Sequence, residues 1–167
     1  MSATRDEIRA ALAADPMEMT LQLSKRLGVP EAHIIRELPD GRAVELDAKR
    51  WEEVFHALPD CGQVHVIVSN AVTTCETVGT FGGFSTWGEF FNVQSGTLDL
   101  HIRFARIGGI WAVEKPSHTD GTKTLSVQFY DTDGAAALKV FLVFAGKPSE
   151  KRQTQFAALK ERFRLPP

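Results

Sequence analysis

Apolar residues along the chain change their spacing twice. Up to about residue 58 they recur every three or four positions, from Gly62 they alternate, and from Ser149 the helical spacing returns. Thr4, with Glu7 three residues on, is a capping-box start for a helix whose stripe is Ile8, Ala11 and Leu12. Asp15-Pro16 ends it, because the residue before proline avoids helical geometry. Leu23, Leu27 and the pair Ile34/Ile35 mark two more short helices, with Gly28 and Pro30 in the turn between them. Asp47 can cap a further helix on which Trp51, Val54, Phe55 and Leu58 fall at i, i+3, i+4 and i+7. Ser149 can cap the last, with Phe156, Leu159 and Phe163 inward.

Between these lie strands. QVHVIVSN and AVTTCETVGTF are β-branched runs joined by a polar break at Ser69-Asn70, a hairpin pattern. A glycine- and aromatic-rich stretch carrying Phe81, Phe84, Trp87, Phe90 and Phe91 reads as a loop. It leads into a strand over residues 97–106, where Leu98, Leu100, Ile102 and Phe104 alternate with Asp99, His101, Arg103 and Ala105. IWAVEKP, KTLSVQFY and AAALKVFLVF complete the set, the last two joined by a turn at Asp131-Thr132-Asp133-Gly134. The expected class is α+β in one domain spanning 1–167: residues 1–58 mainly helical, 62–145 mostly antiparallel sheet, 149–164 helix.

Composition narrows the function classes. A chain of 167 residues, 43% hydrophobic and 24% charged, suits one globular domain. The net charge of −2 offers no general attraction for nucleic acid or anionic membrane. No apolar run approaches the ~20 residues of a membrane span, and the N-terminus lacks the apolar core of a signal peptide, so a cytoplasmic location is expected. Residues 20–38 have the outline of a helix-turn-helix, but residues 1–40 hold five Lys/Arg against seven Asp/Glu. That balance repels phosphate and favours a helical cap packed on the domain.

Little enzyme chemistry is written in the chain. Cys61 and Cys75 form no zinc-type pair, and Cys75 shows no sign of thiolate activation. The turn at 131–134 begins like a calcium loop, but Leu142 stands where a bidentate glutamate is needed. Gly79, Gly82 and Gly83 lack dinucleotide-binding spacing. What remains is the polar face of the 97–106 strand, where His101 and Arg103 stand together beside a run of flat apolar side chains. An imidazole and a guanidinium there would suit a planar, metal-bearing carboxylate ligand such as haem; a solvated strand face is the alternative.

The layout resembles the HutX/ChuX group of intracellular haem-utilisation proteins, relatives of one half of the HemS/ChuS proteins. The resemblance rests on Leu38-Pro39, the helix at Trp51, Phe91-Asn92, Leu-His-Ile at 100–102 and the run GAAALKVFL from Gly134. It implies a haem-binding homodimer with two sheet layers that carries haem as cargo to a degrading enzyme. His101 would be the iron ligand and Arg103 the propionate partner, with Trp87, Phe91 and His65 around the haem. Relatives carry a second histidine where Ser69 stands, and some a tyrosine where Phe90 stands. His65 shares a strand face with Ser69, though about 13 Å away along the strand, and His118 is a further candidate ligand. Haem degradation, as in some two-repeat relatives, is the enzymatic alternative; a DNA-binding regulator is the third.

Overall fold

The computed structural model describes residues 2–70, 72–142 and 146–166. Three helices open the chain: α1 (Arg5–Ala14), α2 (Thr20–Leu27) and α3 (Glu31–Arg36). The capping box is present, with Thr4 Oγ1 accepting from the Glu7 amide and Glu7 Oε2 from the Thr4 amide. Gly28, in the left-handed region, closes α2. Ile8, Leu12, Leu23, Val29 and Ile34 bury together as a small core of their own.

The remaining elements are β1 (Ala43–Leu46), α4 (Trp51–Ala57), β2 (Gln63–Ser69), β3 (Thr74–Thr80), β4 (Phe84–Trp87), β5 (Phe90–Gln94), β6 (Asp99–Arg103), β7 (Ile107–Pro116), β8 (Lys123–Asp131), β9 (Ala136–Phe141) and α5 (Glu150–Phe163). They form two antiparallel sheets, one of six strands in the order β1-β7-β8-β9-β2-β3 and one of three, β4-β5-β6. The α+β expectation holds. The expected strand residues Ala71, Val143 and Phe144 lie outside the described residues.

Two stretches differ from their sequence reading. The strand expected over 97–106 is β6 only from Asp99 to Arg103, and Phe104–Arg106 is a 3-10 turn. The aromatic segment expected as a loop is largely the β4–β5 hairpin, paired from Phe84↔Val93 to Trp87↔Phe90. Two adjacent aromatics, Phe90 and Phe91, conceal the alternation, and the glycines suggested turn rather than strand. Gly83 has a specific reason: its φ is +59°, and a Cβ there would fall 1.8 Å from the Gln94 carbonyl oxygen.

The register decides which faces meet. Ala112, Val127, Val140 and Val66 align across β7, β8, β9 and β2 on one face of the large sheet. That face belongs to the main core, which includes Phe55 of α4, Phe91 and Val93 of β5, and Phe156, Leu159 and Phe163 of α5. On the opposite face, Trp111, Gln128, Lys139 and Ile67 form the corresponding row. There Ile35 of α3 packs with Trp111, Val113 and Tyr130, fastening the helical cap to the sheet. Glu31, the first residue of α3, is 2% exposed and paired with Lys139 of β9. The helix end that would have to enter a DNA groove is thus turned into the fold.

Glu114 of β7 joins three elements, accepting from Lys123 Nζ of β8 at 2.8 Å and Lys160 Nζ of α5 at 2.7 Å. Burial alone would push its carboxyl up, but the two lysines outweigh it and hold the carboxyl below its ordinary value. A lowered folded-state value stabilises above the unfolded carboxylate range and loses that contribution as pH falls through the folded value. Wild type should therefore lose melting temperature more steeply than Glu114→Gln between about pH 5 and pH 3, checked by thermal melts across that range.

Candidate functional site

Two places collect the chemistry expected of a ligand site, and they lie on different sheets. The first is the outer face of the small sheet. Directly paired residues share a face, so Ser85, Asn92 and His101 form one row and Trp87, Phe90 and Arg103 the next. Asn92 is 7% exposed at the centre of the sheet. Its Oδ1 lies 2.8 Å from His101 Nδ1, and its Nδ2 donates to Ser85 Oγ at 3.1 Å. The His101 side chain is about half exposed, with Nε2 3.5 Å from Asp99 Oδ1. Arg103 lies with its guanidinium carbon 5.3 Å from the centre of the Phe90 ring and its Nε 3.8 Å from Glu89 Oε2. Trp87 is 77% exposed.

His101, Arg103 and Trp87 are thus brought together. Phe91 is not: the alternation of β5 turns it inward, 1% exposed, with its ring 5.1 Å from Trp51 and 5.5 Å from Phe55. Its neighbour Phe90 occupies the outer face instead.

The second place is a cleft of about 840 Å³ between α2, the start of α3 and the second face of the large sheet. His65, Ile67 and Ser69 of β2, Glu76 of β3, Gln128 of β8 and Lys139 of β9 line it, as does His118 from the 117–122 loop. No residue of β4, β5 or β6 lines it, so His65 and His101 serve separate surfaces of one chain. His65 Nε2 lies 3.0 Å from Glu76 Oε2. Its volume falls in the range of small-molecule sites.

The cleft has a charged wall. Glu31 Oε1 accepts from both Thr20 Oγ1 and Lys139 Nζ, while Glu31 Oε2 is buried without a hydrogen-bond partner among the described residues. Lys115 donates to the carbonyls of Pro16, Met17 and Pro116, tying the linker before α2 to β7, and burial lowers its ammonium below the ordinary lysine value. Behind Gln128, Tyr130 Oη donates to Gln128 Oε1 at 2.6 Å, and Gln128 Nε2 donates to Ser126 Oγ at 2.8 Å. Burial pushes the Tyr130 phenol well above its ordinary value, with Glu31 adding to the effect.

Sequence reasoning assigned no role to Glu31, Gln128, Lys139 or Asn92. A signal existed for some: Ser126 and Gln128 alternate with buried aliphatics on a strand buried on both faces, and Lys139 interrupts an apolar run. Among the described residues no cluster of three or more His, Cys, Asp or Glu is placed to hold a metal ion. Nor is any described helix long and apolar enough to cross a membrane.

Comparison with known proteins agrees with this architecture. The intracellular haem transport protein HutX of Vibrio cholerae is 22% identical over 144 residues, 85% of this chain and 74% of that one. A crystal structure of an Agrobacterium tumefaciens protein superposes with a TM-score of 0.84 at 24% identity, covering 96% of this chain and 91% of the other. PhuS, a haem-binding protein from Pseudomonas aeruginosa, matches at 25% identity with a TM-score of 0.72; 98% of this chain covers 49% of PhuS, so the fold corresponds to one half of it. The family model for haem utilisation, ChuX/HutX, matches residues 44–159, and the chain belongs to that family.

Proposed function

We propose that this protein binds haem as cargo in the cytoplasm and hands it to a haem-degrading enzyme without itself turning haem over. The observation that carries the reading is the row on the outer face of the small sheet. One half-exposed imidazole supplies a single iron ligand, strong enough to hold haem and weak enough to be displaced by an acceptor. Arg103, two residues on, is placed to pair with a propionate, and Trp87 and Phe90 give the porphyrin an apolar surface. Family membership and the haem-transport description of HutX support the same conclusion.

A specific observation favours a second seat for haem. The cleft is large enough for a planar macrocycle, and both His65 and His118 line it. Haemin titrations of wild type, His101→Ala and His65→Ala separate the two. The expected result is a Soret band in wild type, with affinity about tenfold weaker or worse in His101→Ala, a loss of at least ~1.4 kcal/mol. His65→Ala should titrate as wild type. The opposite pattern would move haem to the cleft, and no Soret band in wild type would end the carrier reading. Loss of the Soret band under reductant and oxygen would replace a carrier with an enzyme.

A further inference from the structure

We infer that Asn92 is the positioning residue for His101, and that its being a neutral amide rather than a carboxylate keeps the iron ligand exchangeable. The inference rests on the His101 ligand reading and adds to it the group that selects the ligating nitrogen. Ser85, Asn92 and His101 lie in one line across β4, β5 and β6, each directly opposite the next. Asn92 Nδ2 donates to Ser85 Oγ at 3.1 Å, and Oδ1 faces His101 Nδ1 at 2.8 Å. An amide oxygen accepts and cannot donate, so the ring nitrogen beside it carries the proton. In the neutral imidazole the lone pair then resides on Nε2, the nitrogen left to bind iron. Asp99 Oδ1 is the other acceptor near the ring, 3.5 Å from Nε2 and itself accepting from Gln94 Nε2 at 3.2 Å. That separation exceeds an ordinary hydrogen bond, whereas the Asn92 contact does not.

The chemical identity of the acceptor sets how strongly the histidine donates. A carboxylate draws the Nδ1 proton and makes Nε2 more basic, strengthening ligation and favouring ferric iron. A neutral amide fixes the ring in the same orientation with less of that effect. Such a ligand is correctly aimed but weak, which suits a protein that must release what it holds. Asn92 is nearly buried between its two partners, so it is positioned by the sheet rather than by the ligand.

The test has one arm without haem and one with it. In the haem-free protein, 15N NMR of the neutral His101 ring should show the Nδ1–H tautomer; a predominantly Nε2–H ring overturns the inference. In the haem-loaded protein, release to excess apomyoglobin should be slowest in Asn92→Asp, intermediate in wild type and fastest in Asn92→Leu. The leucine variant should bind haem about 10–100-fold more weakly, the usual effect of losing such a partner. Asn92→Asp should also lower the haem midpoint potential, a change that mere loosening of the sheet does not produce. Asn92→Asp is nearly isosteric and keeps the experiment decisive if the leucine variant does not fold. Equal release rates and potentials in wild type and Asn92→Asp, with His101→Ala still altering the Soret band, overturn this inference alone. An unchanged Soret band in His101→Ala removes the ligand reading and this inference with it.

Discussion

Truncating Phe55 to alanine is expected to lower the unfolding free energy by about 3–5 kcal/mol, the cost of deleting a fully buried aromatic side chain. Phe55 has no solvent exposure and stands where three elements converge. Its ring stacks on Phe129 of β8 at 4.5 Å between centroids and lies 5.5 Å from Phe91 of β5 and 6.1 Å from Phe81. Helix α4 is therefore bonded to both sheets through one side chain, and the cavity left by its removal cannot be filled from one side alone. For a chain of this size the loss corresponds to roughly 10–15 °C in melting temperature. Denaturant unfolding should show a lower midpoint with an unchanged slope. Phe55→Leu, which retains most of the volume, should lose clearly less. Because Phe91 precedes Asn92 on β5, weaker haem binding by Phe55→Ala would link core packing to the site.

Lys139→Ala should destabilise by about 3–5 kcal/mol, out of proportion to a residue that keeps some contact with solvent. The reason is its partner. Glu31 is 2% exposed, and its remaining donor is the Thr20 hydroxyl, since Oε2 has no hydrogen-bond partner among the described residues. Removing the ammonium leaves a buried carboxylate uncompensated at the junction of α2, α3 and β9. Replacing both residues with apolar ones, Glu31→Leu with Lys139→Met, should be far milder than the single change, because no buried charge is then stranded. A double-mutant cycle measured by thermal and denaturant unfolding reads this directly. Equal losses for the single and double variants would show that the pair acts through packing rather than charge.

The two variants probe the two interfaces that organise the molecule, and they differ in how legible they were. Phe55 was visible: its place with Trp51, Val54 and Leu58 on one helical stripe predicted burial, and Val54, Phe55 and Leu58 are fully buried. The same local periodicity located α1, α5 and most strands of the large sheet. It failed at β4 and β5, where Phe90-Phe91 and the surrounding glycines broke the alternation that identifies a strand. The Glu31–Lys139 pair joins residues 108 positions apart, and no local pattern reports such a contact.

The polar face carrying His101 and Arg103 was legible from period two, because alternation along one strand is a local property of the backbone. What the chain alone determined is the α+β composition, the inward side of each helix and the shared side of those two residues. Tertiary structure decided the rest. The pairing of β5 with β6 set Asn92 beside His101, and packing of the other face against α4 put Phe91 in the core. The order β8-β9-β2-β3 assembled Gln128, Lys139, His65 and Glu76 into one wall, and folding α2 and α3 over that wall made a cleft. Alternation tells which side chains point the same way, but what they meet depends on strand order and register. Those are set by the burial of distant segments against one another.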